Sequence, residues 1–107
     1  SRKAVLIISD QAQQIADGIM EVGRGVTFLH GQGAFTRKER NVVFVVVKLT
    51  QVSKIKLIAH AVDPHAFMII MSASEVMGRG FSEPGIAFKR FIHKPGHPEH
   101  LQWHDNR

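Results

Sequence analysis

Two glycine-bracketed stretches and one histidine-rich run hold the residues best able to do chemistry. In "GQGAFTRKERN", residues 31–41, Gly31 and Gly33 stand beside a hydroxyl, Thr36, and three cations, Arg37, Lys38 and Arg40. Glycine permits positive φ and close backbone approach, and cationic side chains bind phosphate oxygens through charge-assisted hydrogen bonds. One reading is therefore a loop for an anionic ligand. The other is a glycine-containing bulge that bends a strand into a solvated hairpin tip, and the two are compatible. In "EVMGRGF", residues 75–81, Arg79 lies between Gly78 and Gly80 and is followed by Phe81. In an oligomer this segment could carry a guanidinium and backbone N–H groups toward a neighbour's "GQGAFT"; an ordinary strand exit is the alternative.

His93, His97, His100 and His104 are spaced by four, three and four residues. Such a set can gather a zinc or nickel ion, but functional metal sites rest on ordered scaffolds with supporting hydrogen bonds. Here Pro and Gly interrupt the run, so a polar tail without a metal is expected. His30, His60 and His65 stand apart as structural or surface residues. The carboxylates Asp10, Asp17, Glu21, Asp63 and Glu75 are spread over caps and helix faces without an evident pair. Ser9, Ser53, Ser72 and Ser74 lack the glycine-flanked elbow of a serine nucleophile. No enzyme activity is expected, and no cofactor is implied.

Composition narrows the classes further. A chain of 107 residues with 44% hydrophobic and 21% charged residues is expected to form one globular domain with a real core. The absence of cysteine excludes disulfides, thiolate metal sites and cysteine nucleophiles. No apolar run approaches the roughly 20 residues of a membrane helix, and no secretory signal is visible in "SRKAVLIISD". The chain begins with Ser1 rather than Met, as expected of a piece of a longer protein. A net charge of +5 admits anionic partners, yet the basic residues are scattered and there is no tyrosine. That pattern lacks the interleaved aromatics of single-strand binders and argues against nucleic acid.

Six elements would position these residues. "KAVLIIS", residues 3–9, is a short β-branched run and predicts a buried strand. Ser9 or Asp10 then caps a helix over "DQAQQIADGIMEV", with Ala12, Ile15, Ala16, Ile19 and Met20 on one face. Gly23 and Gly25 stop that helix and turn the chain. "VTFLHGQGAFT" predicts a second strand interrupted by glycine, and "NVVFVVVKL" a third, so that residues 31–41 would link the two central strands. "TQVSKIKLIAHAVD" returns to helical period with Val52, Ile55, Ile58, Ala59 and Val62 in one stripe, and Asp63-Pro64 ends it. "AFMIIMSAS", residues 66–74, is the fourth strand. The order β-α-β-β-α-β is that of a ferredoxin-like α+β sandwich on a four-stranded antiparallel sheet. It occupies residues 1–81, and residues 82–107 form a C-terminal arm or tail expected to be partly disordered.

Two helices cover one face of such a sheet, and a wet second face would show alternating polarity. "VVFVVV" (42–47) and "FMIIM" (67–71) are instead apolar on both faces. An exposed apolar surface of that size is rare on a monomer, so sheets from several copies are expected to pack together. The alternative is that the C-terminal arm folds back over its own sheet.

The element order, with "GRGVTFLHGQGAFT", "VDPHAFMI" and "EVMGRGF", resembles the C-terminal soluble domain of the YitT family of bacterial membrane proteins, a domain of unknown function. The resemblance covers residues 2–81; residues 82–107 have no counterpart. It implies an N-terminal bundle of membrane helices in the same protein, with this domain on the cytoplasmic side. It further implies a PII-like fold, in which trimers bury one face of each sheet. PII-type proteins bind nucleotides or other small anions between subunits, near the base of the loop joining strands two and three. Carried onto this chain, the ligand-binding set is Gly31, Gly33, Thr36, Arg37, Lys38, Gly78, Arg79, Gly80 and Phe81, although no PII nucleotide motif is present residue for residue. The implied role is a self-associating sensory or regulatory domain binding a nucleotide or small anion. A purely structural oligomerisation module and a basic nucleic-acid-binding domain are the alternatives.

Overall fold

The computed structural model describes residues 1–78 and residue 80. Strand β1 (Arg2–Ile8) is followed by helix α1 (Ala12–Glu21), strands β2 (Thr27–Gln32) and β3 (Glu39–Lys48), helix α2 (Val52–Val62) and strand β4 (Phe67–Ala73). The strands form one antiparallel sheet in the order β2-β3-β1-β4. This is the ferredoxin-like arrangement expected from the sequence. The order places β2 at an edge, so the β2–β3 loop joins an edge strand to a central one rather than two central strands.

Periodicity explains which face is covered. Val5 and Ile7 on β1 and Val43, Val45 and Val47 on β3 point to the helices and are at most 1% exposed. Ile15 and Ile19 of α1 and Ile55 and Ala59 of α2 close over them. The helices approach closely at Gly18, where an added Cβ would lie 2.7 Å from Ile58 Cγ2. Met20, expected on the buried stripe of α1, is instead 47% exposed at the end of that helix.

Helix ends differ from expectation at one point. Neither Ser9 nor Asp10 caps α1: Gln11 holds the cap position without a side-chain hydrogen bond. Both candidate caps are engaged elsewhere. Ser9 Oγ accepts the Gln11 N–H at 2.9 Å and donates to Asp63 Oδ2 at 2.6 Å, tying the β1–α1 turn to the α2–β4 connection. At the other end, Gly23 takes φ 88° as α1 stops. Asp63, before Pro64, leaves the helical region with φ −143° and ψ 100°, and α2 ends there.

The opposite sheet face has no helix. Register puts Leu6, Phe44 and Ile69 in one row across it, flanked by Ala4, Val46 and Met71. Thr27 pairs with Phe44 at the β2 edge, and Leu29 and Val42 form the neighbouring pair on the same face. Phe67 is 58% exposed, Leu29 45%, Met71 41% and Ile69 40%. A broad apolar surface is therefore left bare by the described residues.

Candidate functional site

The antiparallel register of β1 with β3 brings the C-terminal end of β1 beside the start of β3. Ile7 pairs with Val43, and continuing that pairing sets the Ser9–Gln11 turn against Glu39–Asn41. Between them lies a cleft of about 260 Å³, lined by Ser9, Asp10, Ala12, Gln13, Gln14 and Lys38 through Asn41. It sits at the base of the β2–β3 loop. Its floor includes the first turn of α1, whose N–H groups receive no side-chain cap and which carries no acidic residue. A helix N-terminus of this kind favours negative charge.

Two cations reach the cleft and both meet Asp10. Arg40 Nη2 donates to Asp10 Oδ1 at 2.5 Å and Lys38 Nζ at 3.4 Å. The Arg40 hydrogen bond, then that from Lys38, holds the Asp10 carboxyl below its ordinary value. With Glu39 also on the wall, the four charged side chains of the cleft balance to zero. An anion entering here competes with Asp10 for Lys38 and Arg40, while Gln14 adds a carboxamide to the wall and Gln13 Nε2 donates to Asp17 Oδ1 at 2.9 Å. His30 Nδ1 lies 3.0 Å from Asn41 Oδ1 at the margin.

The loop above the cleft is a closed turn. Gly33 N–H donates to the Lys38 carbonyl at 2.9 Å and Arg37 N–H to the Gly33 carbonyl at 2.8 Å. Lys38 N–H donates to Thr36 Oγ1 at 3.3 Å, and Gln32 Nε2 to the Arg37 carbonyl at 3.0 Å. Gly31 and Gly33, expected to supply positive φ or a bulge, do neither: β2 stays in regular register with β3 through Gly31–Arg40 and Gln32–Glu39. The left-handed residue is Arg37, at φ 60°. A Cβ at position 33 would meet Thr36 Oγ1, so a side chain there requires the Thr36 hydroxyl to turn away from its bond with Lys38 N–H. Thr36 thus holds the turn, and Lys38 and Arg40 are the loop-base cations that turn inward.

The second stretch lies elsewhere in the chain. Gly78 and Gly80 follow β4, whose Ala73 end pairs with Arg2 at the start of β1. They are therefore separated from the cleft by the length of β1, about 23 Å at the usual strand rise. Both take positive φ, 130° and 88°, and a Cβ on Gly80 would stand 3.4 Å from Arg24 Nη2. Within one chain, residues 31–38 do not form one site with Gly78 and Gly80. Arg79, Phe81 and the histidines at 93, 97, 100 and 104 lie outside the described residues.

Asp10, Gln13, Gln14 and Asn41 were not singled out by the sequence reading as cleft residues. Only strand register brings them to the loop base. The Ser9–Asp63 pair was likewise hidden by a separation of 54 residues. Asp63 accepts the Ser9 hydroxyl and the His65 N–H, and these bonds lower its pKa, making it a poor proton acceptor from serine.

Comparison with known proteins agrees with this architecture. The family described as "Uncharacterized protein conserved in bacteria (DUF2179)" matches residues 24–78. An uncharacterized protein from the cccA 5' region of Bacillus sp. (strain PS3) is 39% identical over 80 residues, 74% of this chain and 53% of that protein. The UPF0750 membrane protein YpjC of Bacillus subtilis (strain 168) is 36% identical over 81 residues, 75% of this chain and 28% of that protein. The UPF0750 membrane protein YitT of the same organism is 27% identical over 68% of this chain and 26% of its own length. The chain thus spans between about a quarter and about half of these relatives. No helix among the described residues is long and apolar enough to cross a membrane.

Two crystal structures share the fold. A DUF2179 protein from Eubacterium ventriosum superposes with TM-score 0.60 at 33% identity, over 66% of this chain and 99% of that one. Arabidopsis thaliana PII bound to citrate gives TM-score 0.61 at 21% identity, over 81% of this chain and 90% of that one. The chain belongs to the DUF2179 family, whose function is unknown, and the UPF0750 membrane proteins of the YitT kind are among its relatives.

Proposed function

We propose that this chain is the regulatory domain of a UPF0750-type membrane protein, held on the cytoplasmic side and assembled with copies of itself, with a trimer favoured. The observation that carries the reading is the bare sheet face. Phe67, Ile69, Met71 and Leu29 stay 40–58% exposed in a chain whose other sheet face is closed by two helices. Because these side chains are already about half buried, covering them with a second sheet is worth about half of the roughly 1.5–3 kcal/mol that full transfer of each from water would give. A second copy offers the matching apolar surface.

The regulatory half of the proposal rests on the cleft at the loop base. Lys38, Arg40 and the uncapped start of α1 suit a small anion, a nucleotide phosphate or a carboxylate of the citrate type named for the plant PII structure. Assembly would bring a neighbour's Gly78 and Gly80 to this cleft. No enzymatic role is proposed: the serine–carboxylate pair in the described residues has a poor base.

One observation favours a second reading, a purely structural oligomerisation module. Asp10 already neutralises the cations of the cleft. A thermal-shift panel of nucleotides, inorganic phosphate and citrate separates the two. A ligand at 100 times its dissociation constant raises stability by about 2.7 kcal/mol, a clear rise in midpoint. A flat panel from a protein that still sediments as an oligomer overturns the ligand half and leaves the module.

A further inference from the structure

Of the exposed large apolar side chains among the described residues, one stands out: Phe35 is 98% exposed. It projects from the tip of the β2–β3 loop with Ala34 and Thr36 beside it, followed by Arg37 and Lys38. The turn beneath is closed by backbone hydrogen bonds of 2.8 and 2.9 Å between Gly33 and residues 37 and 38. The ring is thus displayed by a formed loop, with little ordering left to do on contact.

We propose that this tip is an interfacial anchor: Phe35 enters the headgroup region of an anionic lipid bilayer while Arg37 and Lys38 meet lipid phosphates. The inference rests on the proposed placement of the domain beside a membrane. Three features select lipid over a protein partner. A protein contact of ordinary size needs about 800 Å² on each side, with an apolar anchor ringed by further contacts, and this tip offers one ring with small and polar neighbours. A bilayer accepts a single aromatic at its interface and adds attraction for every nearby cation when the headgroups are anionic. The cations are available: Arg37 is at the tip, and Lys38 meets Asp10 only in a 3.4 Å pair exposed on both sides, which is weak enough to exchange for a phosphate. In a trimer three such tips would act together, so modest single-loop binding multiplies.

The test uses the whole chain and two kinds of vesicle, phosphatidylcholine alone and phosphatidylcholine mixed with phosphatidylglycerol. Phe35→Trp is made together with Trp103→Phe, so that the new indole is the only one. The expected result is a blue shift of its emission with the anionic vesicles and none with the neutral ones. In co-sedimentation, Phe35→Ser should lower the partition coefficient about tenfold or more, the equivalent of losing one apolar anchor. Binding that is unchanged by Phe35→Ser, or an indole that does not shift on bound protein, overturns the anchor. A chain that sediments as a trimer but ignores anionic vesicles also overturns it and leaves the assembly reading standing. A monomer whose indole shifts supports the anchor and overturns the assembly. If Phe35→Ser breaks the oligomer itself, the tip is a contact between copies and the lipid proposal fails.

Discussion

The two faces of the sheet are built from the same kind of residue and meet opposite fates. On one, Val5, Ile7, Val43, Val45 and Val47 are at most 1% exposed under α1 and α2. On the other, Phe44, Ile69 and Phe67 form an equally apolar surface that the described residues leave open. The contrast shows that apolar content along a strand does not decide what covers it. Covering depends on how many elements the chain can bring to each face, and two helices suffice for one. We propose that the partner of the open face is another copy of the chain.

The largest expected effect lies under the helices. Ile55→Ala removes a side chain that is 1% exposed in the core, and should cost about 2–5 kcal/mol in denaturant unfolding. A loss well below that range would mean that the covered face is not the core. On the open face, Ile69→Glu should leave the far-ultraviolet circular dichroism of the fold in place while breaking the oligomer seen by light scattering. Unfolding of that variant as a monomer would show that the open face is structural within one chain.

The tie between the helix-side connections gives a smaller, pH-dependent effect. Asp63 and Asp10 are held below the ordinary carboxylate value of 3.8, first by Ser9 and by Arg40 respectively. Folded pKa values below the unfolded ones mean that these contacts contribute fully above that value and are lost as the pH falls through the lowered ones. The thermal midpoint should hold from neutrality to about pH 5 and fall below about pH 4, with a shallower fall in Asp63→Asn. Smallest is the effect at the rim of the sheet. Asp10→Asn frees Lys38 and Arg40 and should tighten phosphate or citrate binding in calorimetry without altering the oligomer. Weaker binding in that variant would place the ligand somewhere other than this cleft.

Much of this could be read from the sequence, and the reasons are local. The six elements follow from β-branched runs, two stretches of helical period, and stops at Gly23 and at Asp63-Pro64, all of which act over a few residues. The doubly apolar strands likewise announced an uncovered face. What could not be read depends on register. Asp10 and Arg40 are 30 residues apart and meet only because β1 and β3 are antiparallel neighbours. The start of α1 was misplaced because Ser9 turns to Asp63, a partner that no local rule indicates. In the loop, the glycines suggested positive φ, whereas the strain sits on Arg37 and a Cβ at position 33 would meet the Thr36 hydroxyl.

The central claim is that a second copy covers the open sheet face, and the mass in solution tests it most directly. Sedimentation of the unmodified chain at micromolar concentration should give a species of three times the 12.0 kDa chain, reduced to a single chain by Ile69→Glu. A 12.0 kDa monomer for the unmodified chain under those conditions would contradict the account.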